Sequence, residues 1–354
     1  MGLPTLMPER PDVTTLGRTD SWEGVRAVVA GFGASGAAAV DNLLHLGASV
    51  HAVAESVDPA LLERVELLEV LGARIEVHEG AAATLPDVAD VLVVSPGFRQ
   101  DAPIVRAARE RGVPVWGEVE LAWRLRDPAR PAPWLCVTGT HGKTTTVLML
   151  DSILRAAGLR SVAAGNVGLP LTEAVMDPEP YDVIAVELSG SQLHHTHSMS
   201  PESAVVLNVA PDSLDRSDGP SATDDHARDQ GRIYTNVQRA CVYMVADPAT
   251  EELVREADVV EGARAIGLTL GTPAAGMLGV VEDLLVDRAF IEERATSAAE
   301  LCTLDDLASQ APHFVADALA AAALARAHGI SQAAVRDGLR AFLPPTPSPA
   351  TPDR

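Results

Sequence analysis

Twice in this chain an apolar stretch runs into a glycine-rich turn and on into helical periodicity: "VRAVVAGFGASGAAAVDNLL" from Val25 and "PWLCVTGTHGKTTTVLML" from Pro133. A turn this tight needs residues that tolerate positive φ and close backbone approach, and glycine supplies both. The order strand–turn–helix directs the chain into a parallel sheet covered by crossover helices. Further apolar stretches continue the alternation: "ARIEV" (73–77), "DVLVVSPG" (90–97) and "VPVWG" (113–117) after the first turn, "YDVIAVELSG" (181–190) and "SAVVLNVAPD" (203–212) after the second. The expected class is therefore α/β: a Rossmann-like parallel-sheet domain followed by a central α/β domain built on a phosphate loop. Hydrophobic residues are 47% of the chain and aromatics 3%, so the cores must be built from Ala, Val and Leu, which suits closely packed helices on sheets.

Proline marks the expected boundaries. "RLRDPARPAPW" (124–134) reads as a linker, which gives a polar leader (1–24), a first domain (25–128) and a central domain (129–343). Within the latter, "MLGVVEDLLVDRAFIEE" (277–293) reads as a hairpin, and "PHFVADALAAAALARAHGIS" (312–331) and "AAVRDGLRAFL" (333–343) as two amphipathic helices. The segment 344–354 carries five prolines and is expected to be disordered. A formal charge of -22 argues against nucleic acid as a partner. No apolar signal-peptide core and no run of about 18 apolar residues is present, so a cytoplasmic protein without membrane insertion is expected. Cys136, Cys241 and Cys302 lie far apart and read as core thiols. A monomer is the expected state.

Gly139, Thr140, His141, Gly142, Lys143 and Thr144 form a short phosphate loop between the strand Leu135–Val137 and a helix with Val147, Leu150, Leu154 and Ala157 on one face, ended by Gly158. Backbone N–H groups turned inward would meet anionic oxygens, Lys143 would reach the phosphates, and the Thr144 hydroxyl would ligate Mg²⁺. Glu187 closes the strand "VIAVE", where a carboxylate facing such a loop can hold the metal; Asp212 closes the next strand as a weaker version of the same signal. Gly31, Gly33 and Gly36 make a G-x-G-x-x-G turn, which marks either a dinucleotide or a tight turn with no ligand. The acidic residue the first reading wants is Glu55, one position beyond the end of its strand at Ala54. His194, His195 and His197 lack spaced companions and read as packing or surface histidines rather than a metal cluster.

Taken together, "GFGASG" (31–36), "SPGF" (95–98), "VPVWGEVELAWRL" (113–125), "TGTHGKTTT" (138–146), "GNVGLP" (165–170), "VELSGSQL" (186–193), "LNVAPDSLD" (207–215) and "GRIY" (231–234) resemble the bacterial Mur ligases, in particular their D-glutamate-adding branch. The resemblance implies a UDP-binding domain, a central ATPase, and ATP-dependent amide ligation through an acyl phosphate, with Mg²⁺ and ATP as cofactors and UDP-N-acetylmuramoyl-L-alanine and D-glutamate as substrates. Carried over by position, Gly139 to Thr144 and Thr145 would hold the nucleotide phosphates, with Lys143 and Glu187 as the catalytic pair and Thr144 and Glu187 as metal ligands. Asp317 would lie on the adenine side. Ala34, Ser35, Ser95, Pro96 and Gly97 would lie on the UDP moiety, and Asn166 and Gln192 would line the substrate site.

Several positions depart from the family pattern. Ser213 stands where the resemblance places a metal-binding His, and Gln230 where it places a Lys that becomes a carbamate. "HFVADAL" (313–319) lacks both Asn of the adenine-side motif, Ala54 replaces the UDP-side acid, and His141 replaces an Asn. The resemblance stops near residue 343, so the third domain of the family is expected to be absent. Phosphate charge left without its metal would slow transfer by about three orders of magnitude. The sequence therefore supports an impaired ligase, with a non-catalytic paralogue that binds nucleotide or UDP-sugar as the alternative.

Overall fold

The computed structural model describes residues 12–99, 101–210 and 227–345. Asp212, Ser213, Asp215 and the segment 346–354 lie outside the described residues. The chain divides into two compact units, and they do not meet at a single point in the sequence. The first takes residues 1–132 together with 169–180 and 191–199, and the second takes 133–168, 181–190 and 200–354.

In the first unit, β1 (Arg26–Ala30), β2 (Ser49–Ala54), β3 (Arg74–Val77), β4 (Val91–Val94) and β5 (Val115–Gly117) form a parallel sheet in the order β3-β2-β1-β4-β5. Helices α1 (Ala34–His45), α2 (Leu62–Val70), α3 (Pro103–Glu110) and α4 (Glu118–Arg124) connect or follow the strands. Strands β1 and β4 are buried along most of their length, as expected of central parallel strands covered on both faces. Two buried acids hold the later stretches in this unit. Glu118 accepts from the Thr172 N–H at 2.6 Å and its hydroxyl at 2.9 Å. Glu120 accepts from the His197 and Ser198 N–H groups at 2.7 and 2.9 Å and from the Ser198 hydroxyl at 2.7 Å. Burial pushes the Glu118 carboxyl up to about 7. Burial acts the same way on Glu120, but its hydrogen bonds from Ser198 and His197 outweigh it and hold that carboxyl below the usual range.

In the second unit, β6 (Trp134–Thr138) leads through the loop into α5 (Lys143–Ala156), followed by β7 (Ser161–Gly165). Helix α6 (Leu171–Met176), part of the first unit, precedes β8 (Val183–Glu187), and the short α7 (Gly190–His194) follows it. The series continues with β9 (Ser203–Val206), β10 (Ala240–Met244), α8 (Pro248–Arg255), β11 (Arg264–Leu268), β12 (Met277–Val281), β13 (Leu284–Asp287), β14 (Ala299–Thr303), α9 (Pro312–His328) and α10 (Gln332–Ala341). The nine strands run β14-β13-β12-β11-β10-β9-β6-β8-β7. The expected hairpin is present as the antiparallel pair β12–β13, turning through Glu282 at φ 55°.

Three local expectations need correction. Helix α9 is not amphipathic: every residue from Asp317 to Ala325 is buried, because it packs against α5 and α10 and lies over β9 to β12. Its alanines keep the helix thin enough to be enclosed on all sides. Strand β9 ends at Val206 rather than 212, since residues 207–210 leave the sheet to brace the loop before α5. Ala157 is exposed, not on the buried face of α5 with Val147, Leu150 and Leu154. Helix α10 does carry a buried stripe (Ala334, Val335, Gly338, Leu339), and a Cβ at Gly338 would collide with the Ile153 backbone of α5.

Candidate functional site

The loop of the second unit sits at the C-terminal end of a fully buried strand, whose last residue, Thr138, donates its hydroxyl to the Leu188 C=O at 2.7 Å. The chain turns at Gly139 (φ 144°) and Gly142 (φ 87°). A Cβ at Gly139 would lie 3.0 Å from Leu207 Cβ, and one at Gly142 would collide with Asp317 Oδ1, so both turns demand glycine on backbone and spatial grounds. Asn208 clamps the loop from both sides. It accepts from the His141 N–H at 2.9 Å and donates to the His141 C=O at 3.0 Å, while its own C=O takes the Thr140 N–H at 3.2 Å. Two of the backbone donors expected for phosphate are thus bonded within the chain. The N–H groups of the first turn of α5, from Lys143 to Thr145, have no intrahelical acceptor and form the anion-attracting end of a 14-residue helix. Lys143 Nζ folds back on the loop, donating to the Gly139 and Thr140 C=O groups at 2.7 and 3.1 Å.

Beside this helix end lies one buried carboxylate with both oxygens engaged. Glu187, fully buried at the end of β8, accepts from the Thr144 hydroxyl at 2.9 Å through Oε2 and from the Asn166 amide at 2.8 Å through Oε1. The Asn166 N–H also donates to the Glu187 C=O at 2.9 Å. The turn that delivers Asn166 depends on Gly165 (φ 105°) and Gly168 (φ 70°), where a Cβ would strike the C=O of Glu187 and of Ala163 respectively. Thr144 and Glu187 offer hard oxygen donors next to a phosphate-attracting helix end, a set that fits Mg²⁺, which takes one or two protein oxygens and completes its shell from phosphates and water. Among the described residues no three His, Cys, Asp or Glu side chains gather as a metal-binding group. Asp317, expected on the adenine side, is a buried residue of α9 set against Gly142 and near Thr146, and burial pushes its carboxyl up to about 7. Gln230 is likewise buried.

The first unit brings together the other expected cluster. Strands β1 and β4 are neighbours whose connections leave on opposite sides, the place where ligands meet such sheets. The turn 31–36 after β1 and the turn 95–98 after β4 touch: Ser95 Oγ donates to the Gly31 C=O at 3.1 Å, and a Cβ at Gly31 would lie 2.7 Å from Ser95. Ala34, Pro96 and Gly97 are exposed there, with Ser35 and Ser95 half-buried. Glu55 instead holds a neighbouring turn, accepting from the Gly80 N–H at 2.8 Å. His195 Nε2 lies 2.9 Å from the Phe98 C=O, and burial lowers the imidazole to about 4, so it stays neutral. Gln192 is buried, its C=O accepting from the Thr196 hydroxyl. Asn166 and Gln192 belong to different units.

The Mur ligase middle domain matches residues 137–325, and the MurD-like N-terminal domain of Mur ligases matches residues 25–117. This chain belongs to the Mur ligase family. A UDP-N-acetylmuramoylalanine--D-glutamate ligase of Streptomyces avermitilis is 54% identical over 324 residues, covering 92% of this chain and 68% of the relative. One from Leifsonia xyli is 44% identical, covering 91% and 65%. The chain thus spans about two thirds of the length of these relatives. In fold it is similar to the UDP-N-acetylmuramate:L-alanyl-gamma-D-glutamyl-meso-diaminopimelate ligase of Neisseria meningitides, with a TM-score of 0.60 at 20% identity over 91% of this chain and 99% of that one. The α/β architecture of the family's N-terminal and central domains is therefore present, and in sequence the chain is homologous to the MurD-like branch. No helix among the described residues is long and apolar enough to cross a membrane.

Sequence reasoning missed three contributors to the site. Asn208 was visible only as part of a motif, with no sign that it clamps His141. Gly165 and Gly168 were likewise visible only within a motif, and their positive φ values shape the turn that presses Asn166 onto Glu187. The third is Asp247, whose carboxylate takes the Val209 N–H at 2.9 Å and fixes the bracing stretch; nothing in the sequence pattern marked it.

Proposed function

We propose that this chain carries the nucleotide and UDP-substrate sites of an ATP-dependent ligase that adds D-glutamate to UDP-N-acetylmuramoyl-L-alanine during peptidoglycan precursor synthesis. The observation that carries the reading is the buried Glu187, held by Thr144 and Asn166 beside the first turn of α5. In this reading Thr144 and Glu187 hold Mg²⁺, which when bound neutralises charge on the nucleotide phosphates. The α5 N–H groups and Lys143 bind the phosphate oxygens, with Lys143 exchanging its two loop carbonyls for the ligand. Asn166 fixes the orientation of Glu187. Ala34, Ser35, Ser95, Pro96 and Gly97 take the UDP moiety at the β1–β4 switch point, and Thr145 and Asp317 support the nucleotide from the helix end and from α9. The cytoplasm, where the soluble nucleotide precursor is available, is the compartment this reading requires. The test is ligation with Mg-ATP, D-glutamate and UDP-N-acetylmuramoyl-L-alanine, scored for both phosphate and peptide product, with Lys143→Ala as control. Phosphate and product must rise together and both must be lost in the control.

A second reading rests on Gln230. It is buried where the resemblance places a lysine carbamate, and an amide cannot form that anion. A chain that binds nucleotide through the α5 end yet transfers phosphate slowly would fit this. In the same assay it would show Lys143-dependent ATP binding by calorimetry with neither phosphate nor product.

A further inference from the structure

Among the described residues the β3 side of the five-stranded sheet is a free edge, and it carries a pattern complementary to itself. Strand β3 is the last on that side and pairs in parallel with β2, Ala52 against Ile75 and Val53 against Glu76. The His78 N–H donates to the Ala54 C=O at 3.2 Å. The alternation of a parallel ladder then turns the backbone groups of Glu76 toward β2 and those of Ile75 and Val77 outward. An outward N–H and C=O on one residue is a template for another strand.

The side chains around Ile75 decide which strand fits. Arg74 and Glu76 leave the sheet on one face, form an ion pair with each other, and line a cavity of about 480 Å³ together with His51 and Val53. Ile75 and Val77 take the other face. Helix α2 packs against β3 and contributes nothing to that cavity. It buries only Leu68, leaving Leu67 49%, Val70 84% and Leu71 55% exposed. Spaced i, i+3 and i+4, these three share one face of the helix, and exposed apolar side chains grouped in this way mark an interaction surface.

We propose that this protein self-associates through β3, two copies meeting antiparallel about a two-fold axis through Ile75. The Ile75 N–H and C=O of each copy bond to those of the other. Arg74 of each falls opposite Glu76 of the other, so the ion pair within one strand becomes two pairs across the joint. The charges that would repel an arbitrary strand admit this one, and α2 of each copy covers the apolar strip beside its symmetry mate. The joint is one short strand and one helix per copy, modest against the roughly 1,200–2,000 Å² of a stable interface, so the dimer forms at micromolar concentrations or above. This departs from the monomer expected of the sequence.

Sedimentation velocity on the full chain across about 1 to 200 µM should show a monomer–dimer equilibrium. Ile75→Pro removes the outward N–H while sparing the bonds to β2, and should abolish it. Glu76→Arg sets Arg against Arg and should weaken it at least about tenfold, and adding Arg74→Glu should restore it by exchanging both signs. Val70→Lys, on the most exposed position of α2, should weaken it without touching β3. Circular dichroism checks that each variant is folded; if Ile75→Pro is not, Glu76→Arg and Val70→Lys carry the test. A chain monomeric throughout the range overturns the proposal. So does a dimer that a folded Ile75→Pro or Glu76→Arg leaves unchanged, or a double charge exchange that fails to restore association.

Discussion

The Asn166 amide donates to Glu187 Oε1 at 2.8 Å, and the Asn166 N–H donates to the Glu187 backbone at 2.9 Å. One residue thus fixes both the strand end and the carboxylate it carries. With the Thr144 hydroxyl on the other oxygen, Glu187 is pre-aimed by two neutral donors and needs no rearrangement to face the first turn of α5. Such prior ordering removes entropy that a flexible carboxylate would lose on binding a cation.

Replacing Asn166 with Ala should therefore loosen Glu187 without removing it. A hydrogen bond to a charged group contributes about 1.5–3 kcal/mol, so chemical denaturation should show a loss within that range. Calorimetric titration with Mg-ATP should show weaker binding and a smaller dependence on Mg²⁺. Glu187→Gln should do more. Its amide would direct N–H toward either Thr144 or Asn166, both already donors, and Mg²⁺ dependence of nucleotide binding should vanish. Unchanged Mg²⁺ dependence in Glu187→Gln would remove Glu187 from the site.

Glycines of the two turns should differ sharply. Gly142→Ala forces a Cβ into φ 87° and onto Asp317 Oδ1; the backbone cost alone is about 1–2 kcal/mol, and nucleotide binding should fall with it. Gly33, by contrast, has φ -89° and no atom within 4 Å of its would-be Cβ. Gly33→Ala should leave stability within about 0.5 kcal/mol. If UDP-sugar affinity nevertheless drops in that variant, Gly33 serves ligand approach rather than folding.

Ser95→Ala tests the first unit in the same spirit. It removes the hydroxyl that ties the second turn to the Gly31 C=O at 3.1 Å while keeping the Cβ that fills the space beside Gly31. Stability should fall by about 0.5–1.5 kcal/mol. Hydrogen exchange with and without UDP-sugar should show reduced protection at residues 95–98. Equal protection in the variant would mean the two turns hold together by packing alone.

The strand–turn–helix order, both glycine turns and the strand ends at Ala54 and Glu187 were legible because short unbroken apolar runs and glycine punctuation are local signals. What escaped was set by long-range packing. Helix α9 looked amphipathic because its two ends are polar, yet a run of alanines between helices can be enclosed on every side. Residues 207–210 looked like more strand because Leu207 and Val209 are apolar, whereas Asn208 is drawn off the sheet to clamp His141. The return of 169–180 and 191–199 to the first unit depends on Glu118 and Glu120. In sequence these two acids look like an ordinary helix start.

Asp317 supplies the sharpest pH test. Burial raises its carboxyl from an ordinary 3.8 to about 7, with the neighbouring Thr146 opposing in part. An acid raised in the folded state favours folding most where both states are protonated, below about pH 4, and that contribution is lost as pH climbs toward 7. Above pH 7 the folded protein must carry a buried anion against Gly142, at the end of α5 that attracts phosphate. Asp317→Asn keeps the shape and removes the charge. Its advantage in urea unfolding should be absent near pH 4, grow through the interval and level off above about pH 7, at a value on the order of 2–4 kcal/mol. Glu118, also raised to about 7 by burial, tilts wild type and variant alike, so it cancels in the difference. A flat difference between pH 4 and 8 would show that Asp317 titrates normally. A difference of the opposite sign would show that its anion is stabilised by a partner near the loop.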